Sequence, residues 1–225
     1  MSESVAPTPT AVPRPPAEQF EDRRQQRQAA TLGMWAFLAQ ETLFFGTLFV
    51  GFYVMRSMYA DDFRQGAHEL IWWLGGLNTA VLLVSSFAVA QGVLAGAKGD
   101  NRRVMRWFGL ALVLGVGFLG IKATEYGIDY RERLVPGLNF ADVSPDGVDR
   151  LSHVKMFMCF YFIATGLHAL HVIVGLFLLG YVAVRAWRGA YTRDDHNFVD
   201  GVGLYWHFVD LVWIFLYPTL YLLRH

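Results

Sequence analysis

The chain has 225 residues, 54% hydrophobic and 16% aromatic, and its 19 basic residues balance 19 acidic ones, so bulk charge offers nothing to nucleic acid. A single cysteine, Cys159, excludes an intrachain disulfide and any paired-thiolate site, and no CxxCH run is present for covalent haem attachment.

Residues 1–30 come first. They hold Pro7, Pro9, Pro13, Pro15 and Pro16 and then the charged run EDRRQQR. That composition reads as a solvated, disordered tail leading to a basic approach to a membrane. It lacks the apolar centre of a signal peptide. Five apolar runs follow, over residues 31–55, 70–94, 107–128, 156–184 and 202–223. Each has at least about 20 residues, enough at about 1.5 Å per residue to cross a hydrocarbon layer of about 30 Å. Backbone amides in lipid must be satisfied internally, so such runs are helices. Residues 31–225 are therefore expected to form an all-α integral membrane protein, a bundle of five transmembrane helices.

With the N-terminus cytoplasmic, the inner segments hold Arg14, Arg23, Arg24, Arg27, Lys98, Arg102, Arg103, Arg106, Arg185, Arg188 and Arg193. The outer ones hold fewer: Arg56, Arg64, Arg131, Arg133, Arg150, Lys155 and Arg224. The positive-inside rule then puts the C-terminus on the periplasmic side. The outer loop over 129–151 carries Asp142, Asp146 and Asp149. It reads as a solvated acidic loop or, alternatively, as a face for a basic soluble partner. Gly75, Gly76, Gly109, Gly115, Gly117, Gly120, Gly166 and Ala169 are candidates for close helix packing.

Within the spans the ionisable residues are Glu41, Lys122, Glu125, His168, His171, His207 and Asp210, with amides at Gln40, Asn78 and Gln91. A charged side chain at a helix centre costs at least about 2.5 kcal/mol unpaired, so each should face the bundle, a partner or water. Glu41, flanked by phenylalanines, reads either as a proton-handling carboxyl or as a carboxyl bonded to a neighbouring helix. Lys122 and Glu125, three apart, are expected to pair or to snorkel outward.

His168 and His171 share one helix face, and His207 and Asp210 another. Together they invite a metal or haem. Yet His68, His153, His196 and His225 fall in expected loops or at the terminus, no Glu-x-x-His repeat is present, and no nucleotide-binding or nucleophile motif appears. The ligand count favours an interhelical network, with imidazole donating to carboxylate and aromatic N–H and O–H groups completing the bonding.

Five stretches, one in each span, resemble subunit III of the haem–copper oxidases, the cytochrome c oxidase type above all. They are ETLFF (41–45), LNTAVLLVSS (77–86), ATEY (123–126), FYFIATGLHALHVIVG (160–175) and YWHFVDLVWIFLY (205–217). The resemblance covers residue 31 to the end. It implies a non-catalytic, non-redox accessory subunit without haem, copper or another metal, those cofactors being held by partner subunits. The partners implied are oxidase subunit I in direct contact, subunit II in the same complex, bound phospholipid, and cytochrome c as the substrate of the complex.

The resemblance further implies support for proton uptake and for the stability of the catalytic subunit in an aerobic respiratory chain. The family's reactive buried glutamate falls on Glu41. Its two penultimate-helix histidines fall on His168 and His171, its last-helix His and Asp on His207 and Asp210, and its lipid-facing basic residue on Arg185. Asn78, Lys122, Glu125 and Trp206 are expected in the same structural polar network, and His171 and Trp213 beside Arg185 as lipid contacts. Typical mitochondrial-type members have seven helices. The five found here point to a short bacterial form in an inner membrane. The alternatives are a quinol oxidase subunit III, the homologue that accompanies nitric oxide reductases, an independent transporter or a membrane haem protein. No inverted repeat supports the transporter.

Overall fold

The computed structural model describes residues 21–143, 153–192 and 196–223. The proline-rich segment 1–20, Asp146, Asp149, Arg150, Arg193, Arg224 and His225 lie outside them. Among the described residues every regular element is an α-helix: α1 (Arg23–Met58), α2 (Ala60–Glu69), α3 (Trp72–Ala97), α4 (Asn101–Arg131), α5 (Val154–Trp187) and α6 (Asn197–Tyr221). All except α2 are long and apolar enough to cross a membrane, which matches the five expected spans.

The helices overrun the apolar runs because polar residues continue them. α1 starts at Arg23 rather than at residue 31. Arg and Gln are good helix formers, and the Asp22 carboxylate caps the start by accepting the Gln25 amide at 2.6 Å. α3 closes through Gly99, whose φ of 72° lets the Asp100 amide reach back to the Ala95 carbonyl at 3.0 Å. Asp100 then caps α4 by accepting the Arg103 amide at 3.1 Å. α5 ends in the same way at Gly189, with the Ala190 amide on the Arg185 carbonyl at 3.1 Å.

α2 was expected as a loop that held His68; instead His68 lies in its last turn. Phe63, Gly66 and Ala67 share its buried side, and Asp61 and Asp62 sit in its first turn, where acids suit the helix dipole. Asp62 accepts the His153 amide at 2.8 Å, and the Tyr59 ring stacks on His153 at 3.7 Å. α2 thus clamps the start of α5. The fit is tight, because a Cβ on Gly66 would lie 2.4 Å from Phe157 Cδ1. Gly66→Ala is expected to cost about 1–3 kcal/mol through overpacking. The thermal midpoint of the purified protein measures it, and an unchanged midpoint would mean that Phe157 moves aside freely.

From Leu38 onward the chain forms one compact unit. α3 packs on α4 and α6, and α5 packs on the same two, so these four helices enclose the core. Phe52 of α1 meets Phe63, Phe157 and Phe160, with ring centroids 5.2–6.0 Å apart. Its neighbour Tyr53 bonds Thr219 of α6 at 3.2 Å.

Glycines admit the largest side chains. Trp206 is fully buried between Gly115 of α4 and Gly175 of α5. A Cβ would come within 2.9 Å of its ring at Gly115 and 2.7 Å at Gly175. Gly75 similarly receives Tyr217. Gly109, Gly117 and Gly120, also expected to pack, have nothing within 4 Å of a built Cβ, because they line the outer face of α4.

Candidate functional site

Glu41 and His171 meet across α1 and α5. Glu41 Oε2 lies 3.1 Å from His171 Nε2, and the two side chains are 11% and 17% exposed. His171 Nδ1 lies 2.8 Å from the Leu167 carbonyl oxygen. A carbonyl only accepts, so Nδ1 carries a hydrogen and Nε2 faces the carboxyl. One proton therefore lies between Nε2 and Oε2, on the acid or on the ring. Around the pair, the Tyr205 hydroxyl donates to the His171 carbonyl at 3.0 Å and the Phe45 ring meets the imidazole edge-on at 5.3 Å. Both alternatives for Glu41 are thus compatible with one geometry: it is bonded to another helix, and through a group that can hold a proton.

The seam between α3 and α6 is a ladder of hydroxyls against aromatic donors. The Trp206 indole donates to Ser85 at 3.1 Å, His207 Nδ1 bonds the Ser86 hydroxyl at 2.7 Å, and the Trp213 indole donates to Thr79 at 3.1 Å. His207 and Asp210 share a face of α6 but do not bond to each other. His207 is drawn across to α3, while Asp210 turns inward, 2% exposed, with Ser86 as the hydroxyl facing it and neither oxygen in a bond of standard geometry. Asn78 is fully buried with its amide unpaired, and the His168 ring, also unpaired, packs against Phe118 and Trp213.

The third cluster sits at the C-terminal end of α4. Lys122 Nζ donates to Glu125 Oε2 at 3.0 Å, to the Tyr161 hydroxyl of α5 at 3.0 Å and to the Tyr221 hydroxyl of α6 at 2.7 Å. Tyr221 donates onward to Glu125 Oε1 at 2.7 Å, and Tyr161 to Asp129 Oδ2 at 3.0 Å. Lys122 and Glu125 therefore pair, and the lysine does not snorkel. Asp129, expected as the start of an exposed acidic loop, points inward at 1% exposure, since α4 runs on to Arg131 and residues 122, 125 and 129 share a helix face.

Of the expected lipid contacts, Arg185 remains suitable. It is half-buried at the end of α5, with its guanidinium over the rings of Tyr181 at 5.8 Å and Tyr191 at 5.5 Å. Trp213 is corrected: it is wholly buried and its N–H is spent on Thr79, so it meets no lipid. Both ring nitrogens of His171 are likewise engaged, which leaves none for a phosphate. Among the described residues no three His, Cys, Asp or Glu side chains converge as a metal-ligating group.

A relative from Thermostichus vulcanus named cytochrome c oxidase subunit 3 is 34% identical over 196 residues, covering 85% of this chain and 86% of its own length. The chain belongs to the cytochrome c oxidase subunit III family. A Corynebacterium diphtheriae relative of the same name is 32% identical, covering 86% of this chain and 88% of itself. A Nocardia farcinica relative named a probable cytochrome c oxidase subunit 3 is 31% identical over 194 residues. The family model for cytochrome c oxidase subunit III matches residues 151–224, the stretch that builds α5 and α6 of this subunit III-family chain.

Sequence reading missed Thr79, Ser85, Ser86, Tyr161, Tyr205 and Tyr221, because hydroxyls and phenols look apolar enough in a span to pass as filler. Asp129 carried a signal that went unused, its spacing of four from Glu125 and seven from Lys122.

Proposed function

We propose that the chain is the non-redox subunit III of a proton-pumping, aa3-type cytochrome c oxidase in a bacterial inner membrane, with its N-terminus cytoplasmic. In this reading it packs on subunit I of a complex that also holds subunit II. Haem and copper reside in those partners, and the complex carries electrons from cytochrome c to oxygen. The names of the relatives support the type of complex. Arg185, set between two tyrosines, supplies a cation for a phospholipid phosphate.

The observation that carries the role of this subunit is the Glu41–His171 pair, one proton between two helices at 3.1 Å. Such a pair tunes or buffers proton supply to the neighbouring catalytic subunit. Glu41→Gln keeps the shape and removes the acid. The variant complex is expected to keep its optical spectrum while pumping fewer protons per electron or inactivating several-fold sooner in turnover. Unchanged stoichiometry, turnover number and lifetime overturn that role.

Purification on a tagged chain tests the identity. Haem and copper are expected to come with partner subunits, and reduced cytochrome c to be oxidised. Turnover on quinol alone moves the assignment to a quinol oxidase. A haem absorption band on the isolated chain that depends on His168, His171 or His207 sinks it.

A further inference from the structure

The cluster at the end of α4 does not balance its charges. Lys122, Glu125 and Asp129 are 2%, 0% and 1% exposed, and they bring two carboxyls against one ammonium. The three hydrogens of the ammonium are all committed, to Glu125, Tyr161 and Tyr221. Among the described residues no second Lys or Arg bonds to either carboxyl.

Among the described residues no further cation is bonded to these carboxyls: Arg131, in the last turn of α4, and Arg133 after it are exposed, and Lys155 of α5 lies over the Phe140 ring. α5 presents Tyr161 and α6 presents Tyr221, both neutral phenols that donate to the acids. α4 itself adds the Tyr126 ring, 5.0 Å from Lys122 Nζ, and the turn after it adds another acid, Glu132. α3 contains no titratable residue. Asp62, on the helix packed against α5, is engaged by His153. An uncompensated charge removed from water costs several kcal/mol even after relaxation. The smallest cation that removes the imbalance without opening the cluster is a proton.

We propose that Lys122, Glu125, Asp129, Tyr161 and Tyr221 form a one-proton store, in which Asp129 takes a proton from water on that face of the membrane and returns it. The transfer balances as carboxylate plus hydronium giving carboxylic acid plus water, and reverses without any other reactant. Asp129 is the carboxyl that exchanges, because Glu125 is tied by the ammonium and by Tyr221, whereas Asp129 accepts only the Tyr161 hydroxyl among these groups. It also lies two residues from the end of α4 at Arg131, whose exposed side chain makes that end of the helix polar. The store is separate from the Glu41–His171 pair: Tyr161 and His171 are ten residues apart on α5, about 15 Å along its axis.

The test is an infrared pH titration of the intact complex that co-purifies with the tagged chain, whatever its partners prove to be. A protonated-carboxyl stretching band is expected that shifts in heavy water and fades as pH rises. It should be absent in Asp129→Asn and moved in frequency in Tyr161→Phe, which removes the hydroxyl at Asp129. Should Asp129→Asn fail to assemble, Tyr161→Phe decides, and a band it leaves unmoved overturns the proposal. Absence of the band in the wild type, its persistence in Asp129→Asn, or its loss in Glu41→Gln also overturns it, the last because the proton then belongs to the other pair.

Discussion

Replacing Lys122 by methionine is expected to cost about 3–5 kcal/mol and to leave the chain poorly retained in its complex. The ammonium holds Glu125 and both phenols at 2.7–3.0 Å, so its loss strands a fully buried carboxyl beside a second one at Asp129. Four aromatic rings within 4.5–5.6 Å of Nζ lose their cation as well. Thermal inactivation of the purified complex, with the content of this chain measured by gel, reads the effect. Adding Glu125→Gln to Lys122→Met should recover part of the loss, since a neutral amide no longer needs the cation. Equal losses in the single and double variants would show that Glu125 is stabilised by something other than Lys122.

The second large effect is at Trp206. Its ring fills the slot left by Gly115 and Gly175, and its N–H is the partner of the buried Ser85 hydroxyl. Trp206→Ala is expected to cost about 3–5 kcal/mol, mostly for the cavity and partly for the lost indole bond to Ser85, whose hydroxyl keeps its own bond to the Ala111 carbonyl at 3.3 Å. Gly175→Ala alone costs about 1–3 kcal/mol, because a methyl there would lie 2.7 Å from the ring. Combined, the two should cost less than their sum, since the methyl then enters vacant space. A strictly additive pair of thermal shifts would mean that the indole and Gly175 do not share the slot.

The same arithmetic explains the sequence YWHFVD. Its histidine and aspartate invite a metal when read as a line of letters. In the fold the stretch faces two serines of α3: Trp206 takes Ser85 and His207 takes Ser86, residue beside residue along antiparallel helices. The motif LVSS in α3 and the motif YWHF in α6 are two sides of one seam. Each was legible alone, and their pairing was not, because a helix contributes its bonds by rotation and depth rather than by order in the chain.

Glu41 shows the converse. Its importance was readable from a carboxyl in an apolar run, since lipid does not tolerate such a group without a reason. Which residue it meets was open, for His168 and His171 lie on the same helix only three residues apart. The turn of α5 puts His171 at the carboxyl and sends His168 inward to Phe118 and Trp213.

Length and apolarity of a run are properties of the chain in one dimension, so five spans, the all-α class and the family could be read without coordinates. Helix ends were less legible, because polar residues such as the arginines of EDRRQQR extend a helix as well as leucine does. The short amphipathic α2 was hidden for a related reason: ten residues with only three buried positions make no apolar run. The partnerships of buried groups required the packed bundle. A lysine in a span must be neutralised, which chemistry demands of any sequence, and Glu125 and Asp129 share its helix face by spacing, but Tyr161 and Tyr221 are brought to it by two other helices, and that meeting is a property of the fold alone.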